Sequence, residues 1–448
     1  MDQAQGPNGT PAQPASASAA AEAEVDPTMR LEHSRRERQD MPPPPSPLSP
    51  PPELGPRVLL VAPDFPPSTG GVQTTLGHLA AGYPPGNLAG VVAPAAPGAA
   101  AFDRAQPYRI WRAPGPALRP GAAAAALPGL YATAAAVLAR RPVEVLVCGH
   151  VLAAPLGLAW GRLTGRPWLL FVYGSELLAG RARPLRQALV RVADHVIANS
   201  RFTAAQLAAL GVPPARITCL PPAVDATRFR PGLAAAAAQV RARHGLAGRR
   251  VVLTVSRLGP QLAYKGHDVL LQALARLRRR WPDVVSLVVG RGDPAYLASL
   301  ARAAGVADAV VVAGAVPEAA LPAYYAAADV FALISRSARP PAGPGAGPAA
   351  GPVEGFGTVY LEAAACGVPA VGGAGGGVAE AIVDGETGLV VPPEDPQAVA
   401  AALARLLEDR AYAARLGQAA RRRVEAAFTW PARVQQFAAL VAAVERAR

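Results

Sequence analysis

The 448-residue sequence predicts an α/β fold of two Rossmann-like lobes facing a central cleft, preceded by a disordered tail. Three observations predict it. From Arg57 onward, short β-branched and leucine runs alternate with longer Ala-rich amphipathic segments, the pattern of repeated βαβ units around a parallel sheet. The alternation stops once, over 224–231, and then begins again. Glycines and charged residues gather where the runs end, and in open parallel sheets a ligand sits beyond the carboxyl ends of the strands.

Residues 1–55 are rich in Ala, Pro, Gln and Ser and end near Pro42-Pro43-Pro44-Pro45-Ser46-Pro47. Such a composition cannot bury enough apolar area to offset chain entropy, so this stretch reads as the disordered tail. The N-terminal lobe, 56–224, contains the strand-like runs 57–63, 143–149, 168–174, 195–200 and 216–222. Its most apolar helical stretch, 121–139, is mostly Ala and holds Pro128, short of the roughly 20 strongly apolar residues a bilayer span requires. After Pro221-Pro222 the segment 224–231 reads as the linker, with the lobe boundary near Asp225. The C-terminal lobe, 225–430, has runs at 250–257, 284–293, 309–314, 329–335, 368–373 and 388–393, enough for a second complete sheet. From Asp395 the chain reads as helical. A break at Thr429-Trp430-Pro431 starts a last helix, 431–446, that is a candidate to fold back and join the first lobe.

Half of the residues are apolar, which permits large cores and excludes disorder throughout. The net charge of +13 is uneven: residues 1–56 hold four Arg against eight acids, 57–224 hold 15 Arg against five, and 225–448 hold 25 Lys or Arg against 18. The first lobe is the more basic, a surface suited to phosphates, nucleic acid or an acidic lipid face; the plainer reading is an ordinary solvated surface built with Arg. Aromatic residues are only 5% and no basic stripe is interleaved with them, which argues against nucleic acid. Cys148, Cys219 and Cys366 lie far apart, giving neither a disulfide framework nor a zinc site, and no signal peptide is expected at the N-terminus. A cytoplasmic location is expected, with peripheral attachment to the inner face of the membrane as a candidate.

Three strand ends carry the chemistry. After the first run comes Asp64-Phe65-Pro66-Pro67-Ser68-Thr69-Gly70-Gly71-Val72-Gln73, where two glycines ahead of a helix let phosphate oxygens reach bare backbone N–H groups; alone, this could be only a tight turn. The next lobe opens with Ser256-Arg257, followed by Lys265-Gly266-His267-Asp268. Lys265 is the single lysine beside 43 arginines, which points to a place where a compact ammonium is required. Two fixed cations before a helix N-terminus suit the charges of a departing diphosphate. The third block runs from Glu354 through Gly355, Phe356, Gly357 and Thr358 to Glu362 and on to Cys366-Gly367-Val368-Pro369. A helix starting near Phe356 would put Glu354 in the loop and Glu362 two turns along, so the carboxylates address different parts of one elongated ligand: sugar hydroxyls and a ribose diol. Gly355, Gly357 and the first amides would take a phosphate.

The run E-G-F-G-T-V-Y-L-E, with E-A-A-A-C-G-V-P-A-V after it, resembles the E-x7-E signature of retaining family 4 glycosyltransferases with the GT-B fold. R-L…Y-K-G-H-D, the G-G-V-Q turn and A-N-S-R-F-T resemble that family too, so the similarity covers 57–445. It implies a donor site in which Arg257 and Lys265 hold the diphosphate, Glu354 the sugar and Glu362 the ribose, with Gly71 approaching from the other lobe. It also implies closure of the lobes on the donor, retention of the anomeric configuration, and no metal or other cofactor; the chain has no Asp-x-Asp motif. Many relatives carry His-Gly-x-[Asp/Glu] where this chain reads Tyr173-Gly174-Ser175-Glu176, so Tyr173 stands in the place of an active-site His. Gln73, His150 and Glu176 are candidates on the acceptor side, His150 being equally readable as a structural histidine. A second departure is the Pro-, Gly- and Ala-rich stretch 337–352, readable as a flap. The expected function is transfer of a hexose, mannose from GDP-mannose first and a UDP-hexose second, to a lipid-linked or glycan acceptor. The alternatives are a nucleotide-sugar epimerase or hydrolase and a non-catalytic nucleotide-binding scaffold.

Overall fold

The computed structural model describes residues 55–115, 123–178, 183–336 and 352–447. The expected tail, except Gly55, and the 337–352 stretch, except Pro352, lie outside the described residues. In the first half, β1 (Val58–Val61), β2 (Leu88–Pro94), β3 (Ile110–Ala113), β4 (Val145–Cys148), β5 (Trp168–Val172), β6 (His195–Ala198) and β7 (Ile217–Cys219) form one sheet in the order β3-β2-β1-β4-β5-β6-β7. In the second half, β8 (Arg250–Val255), β9 (Val284–Val289), β10 (Val310–Gly314), β11 (Val330–Leu333), β12 (Ala370–Gly373) and β13 (Leu389–Val391) form another in the order β10-β9-β8-β11-β12-β13. All neighbouring strands are parallel. The central strands β1, β4, β8 and β9 read as Val and Leu runs because helices cover both faces, and Val58–Val61, Val145–Cys148 and Val284–Val289 are buried at every position.

Sequence reasoning anticipated eleven of these strands and missed β2 and β3. Leu88–Pro94 contains Ala89, Gly90, Ala93 and Pro94, all poor strand formers. Ile110–Ala113 is a four-residue edge strand, mostly half-buried, that no periodicity could reveal. The Ala-rich helix Ala123–Leu138, despite Pro128, puts Leu130, Ala134 and Val137 into the core shared with Val92 and Ala113. Helices elsewhere begin at side-chain caps, with Ser200, Asp293, Asp395 and Asp409 each accepting from a first-turn amide, worth about 1 kcal/mol apiece.

Two consequences of topology position the site. The strand order reverses between β1 and β4 in one sheet and between β8 and β11 in the other, and ligands of such sheets sit at that reversal. In-register pairing of Val58–Val61 with Val145–Cys148 therefore brings the Asp64-to-Gly71 turn out beside Gly149-His150. Pairing of β8 with β11 brings Ser256-Arg257 out beside Ser335. The chain also crosses between the sheets twice at one place. Val224 N donates to Phe428 O at 3.0 Å, and Val224 and Thr429 form a parallel bridge. Past that bridge the helix Trp430–Arg446 packs Phe437, Ala438 and Val441 among Val58, Leu60 and Leu79 of the first sheet's side.

Candidate functional site

Two helices after these strand ends start without the usual protection. The helix Gly71–Gly82 follows Gly70 and the helix Thr358–Ala365 follows Gly357; neither has a side-chain cap or an acidic residue in its first turn. Their leading N–H groups and positive dipole ends are thus left uncompensated. Their first residues come together: a Cβ built on Gly71 would lie 3.4 Å from Thr358 Oγ1, across the two halves of the chain. The helix expected to start near Phe356 starts at Thr358, because Gly357, at φ 89°, closes the loop in a left-handed conformation.

Beside these amides stand the cations. Lys265 Nζ donates to Glu354 Oε2, and Ser335 Oγ donates to the same oxygen at 3.2 Å. The Lys265 and Glu354 side chains are only 13% and 12% exposed. Burial works against the Lys265 ammonium, yet the adjoining Glu354 carboxylate outweighs it and holds the pKa above the ordinary lysine value. Arg257 is exposed, and among the described residues its guanidinium has no hydrogen-bond or ion-pair partner. It lies within electrostatic reach of Lys265 and of Asp64 in the first half of the chain.

The loop bearing Glu354 is set by close backbone approaches. Gly377 N donates to Glu354 O at 3.0 Å. A Cβ on Gly355 would lie 2.4 Å from Tyr173 O and 2.8 Å from Asn199 Nδ2, so only glycine lets this loop meet the first lobe. Phe356 is buried in the second core, against Phe428. Further along the helix, Glu362 accepts from the Tyr325 hydroxyl at 2.7 Å. Burial pushes its carboxyl up to about 7, with the Tyr325 bond and Arg228 pulling the other way. Arg228 is itself paired with Glu318 at 2.8 Å.

On the opposite wall, Tyr173 stacks against His150 and Phe171, and its hydroxyl donates to Gly149 O at 3.2 Å. Burial raises the phenol pKa well above 10, so this hydroxyl stays protonated. Glu176 accepts from Tyr173 N at 2.6 Å and is buried. His150 Nδ1 accepts from Leu152 N at 3.2 Å, capping the short helix that follows, and burial lowers its pKa. Gln73 Nε2 donates to Asp64. Burial raises the Asp64 carboxyl pKa, opposed by the Gln73 bond, His150 and Arg257.

The sequence-nominated residues thus fall into one group of Gly71, Thr358, Arg257, Lys265 and Glu354 where the two lobes meet, a second position at Glu362 further along the Thr358–Ala365 helix, and a first-lobe group of Gln73, Tyr173, His150 and Glu176. Glu354 and Lys265, nominated for different parts of the ligand, are bound to each other. Asp64 and Asn199 were not nominated. The signal for Asp64 was available: an acid directly beyond the first strand, nine residues before Gln73. A separate concavity of about 500 Å³, lined by Arg241, Arg249, Arg250, Arg410, Asp283 and Asp329, sits at the start of β8, the wrong end of the strand for a ligand of this architecture.

Residues 69–228 match the family described as Glycosyltransferase Family 4, and residues 238–423 match Glycosyl transferases group 1. The chain is 37% identical over 403 residues to a GDP-mannose-dependent alpha-(1-6)-phosphatidylinositol monomannoside mannosyltransferase of Mycolicibacterium smegmatis, covering 87% of this chain and all of that one. A transferase of the same description from Mycobacterium tuberculosis is 38% identical over 393 residues, covering 84% and 95%. Among solved structures, Anabaena HepE in complex with UDP aligns at TM-score 0.70 and 21% identity over 86% of this chain and all of that one. Sucrose-phosphate synthase from Thermosynechococcus elongatus aligns at TM-score 0.71 and 23% identity over 88% of this chain and all of that one. These structures share the fold of two facing α/β lobes.

Proposed function

The chain belongs to glycosyltransferase family 4, and from that premise we propose that it transfers mannose from GDP-mannose to a phosphatidylinositol-type lipid, with retention at the anomeric carbon and without a divalent metal. One observation carries the donor half: the Lys265–Glu354 pair and the free Arg257 guanidinium lie beside two uncapped helix N-termini whose first residues meet. That arrangement suits a pyrophosphate. As the anomeric C–O bond breaks, its electron pair passes to the diphosphate oxygen, and the cations and amide dipoles stabilise the charge gathered there. The acceptor hydroxyl bonds to the anomeric carbon from the same face and its proton goes to the departing phosphate oxygen. Glu354 orients sugar hydroxyls, Glu362 takes the ribose diol, and Tyr173, Gln73 and Glu176 line the acceptor side. These cations do the work that a bound Mg²⁺ performs at other phosphate sites.

The similarity, over 87% and 84% of this chain, to two phosphatidylinositol monomannoside mannosyltransferases supports the choice of sugar and acceptor. Peripheral attachment at the inner membrane face fits the basic first lobe and its exposed Leu163, Leu185 and Val192. Among the described residues no helix is long and apolar enough to cross a membrane.

The test is the full chain incubated with GDP-mannose or UDP-hexoses and phosphatidylinositol liposomes, with the lipid product isolated and its anomeric configuration read by NMR. An α-mannosyl lipid is expected. Transfer from UDP-hexoses alone would overturn the donor, a β-linked product would overturn retention, and free mannose without a lipid product would make the protein a hydrolase.

A further inference from the structure

The A-N-S-R-F-T run lies outside the Arg257, Lys265 and Glu354 group, yet the structure gives it a definite partner. The helix Arg201–Ala209 follows β6 in the first lobe, and Ser200 Oγ accepts from Thr203 N at 3.0 Å. The two amides ahead of Thr203 are bound from the other lobe. Arg201 N donates to Glu380 Oε2 at 2.8 Å and Phe202 N donates to Glu380 Oε1 at 3.0 Å. Both oxygens of one carboxylate therefore sit on the positive end of a helix 179 residues away in sequence.

Glu380 is braced from behind. It belongs to the short helix Val378–Ala381, and Arg423 donates to the carbonyls of Glu380 at 2.7 Å and Ala381 at 2.9 Å. The same turn reaches the donor loop, since Gly377 N donates to Glu354 O, and Gly355 meets Asn199 next to the capped helix. The covalent crossings between lobes run side by side at Val224 and Thr429, a place about which two rigid lobes can turn. The Glu380 contact, by contrast, is purely non-covalent.

We propose that Glu380 is an interlobe latch: its carboxylate on the Arg201 and Phe202 amides holds the lobes closed and thereby positions the Glu354 loop against the first lobe. Glu380 touches no substrate in this scheme and is a positioning residue. Its coupling to the donor rests on the function proposed above; the latch itself does not.

The experiment compares wild type, Glu380→Ala and the isosteric Glu380→Gln as full chains. Without ligand, hydrogen exchange is followed in a peptide covering 200–209; with ligand, GDP is titrated by calorimetry. Glu380→Ala is expected to speed exchange at the first amides of that helix and weaken GDP by about tenfold. Turnover at saturating donor should stay within threefold of wild type, and Glu380→Gln should fall between. Arg201→Ala should behave as wild type, because the latch uses the backbone N–H and not the side chain. Unchanged exchange in both Glu380 variants overturns the latch, and faster exchange with unchanged GDP affinity overturns its positioning role. Failure of wild type to bind GDP would instead remove the proposed donor, leaving exchange to decide the latch. If Glu380→Ala does not fold, Glu380→Gln decides by the same two readouts.

Discussion

Replacing Lys265 with Ala separates chemistry from packing more sharply than any other change to the site. The ammonium is bound to Glu354, and both side chains are about seven-eighths buried, so its loss leaves the carboxylate, among the described residues, with the Ser335 hydroxyl at 3.2 Å as its remaining side-chain partner. Breaking a buried pair from one side costs about 3–5 kcal/mol of stability. Removing a donor that stabilises departing charge costs about 10²–10³ in turnover. These two losses differ in their remedy. Adding Glu354→Gln to Lys265→Ala neutralises the stranded carboxylate, so the double variant should recover much of the melting temperature and none of the rate. The assay is initial-rate release of nucleoside diphosphate at saturating donor, run beside thermal melts of wild type, both single variants and the double. A Lys265→Ala enzyme within threefold of wild-type turnover would refute the assignment of this lysine to the leaving group. Recovery of rate in the double variant would show that the lysine serves only to neutralise Glu354.

Glu362 holds its proton more tightly folded than unfolded, so stability falls as pH rises from about 4.5 to about 7 and then levels. Glu362→Gln lacks this dependence and should gain melting temperature relative to wild type between pH 5 and pH 8; an unchanged gap would refute the burial argument. Gly355→Val places a Cβ 2.4 Å from Tyr173 O, which must push the donor loop off the first lobe and lower turnover by about 10², and wild-type rates would refute that approach. Turnover should be indifferent to excess EDTA; loss of activity restored by Mg²⁺ would show that a metal shares the diphosphate charge. Liposomes rich in acidic lipid should sediment the chain at low salt and release it at high salt, and failure to sediment would remove the membrane surface as a partner.

Local pattern determined a good deal of this protein. Buried parallel strands must be largely apolar, so eleven strands stood out as short apolar runs, most of them rich in Val and Leu, and the turns after them carried the glycines and the lone Lys265. β2 and β3 were silent because Gly90, Ala89 and Ala93 weaken one and the other is an edge strand of four residues. What no local pattern could supply is which distant groups meet. Tertiary assembly of the two lobes decided that Asp64 and Arg257 come within electrostatic reach, that Lys265 closes on Glu354, and that Glu380 caps a helix 179 residues away. The physical reason is range: helix and strand preferences act over a few residues, whereas ion pairs and caps depend on distances of about 3 Å that exist only once both sheets are assembled.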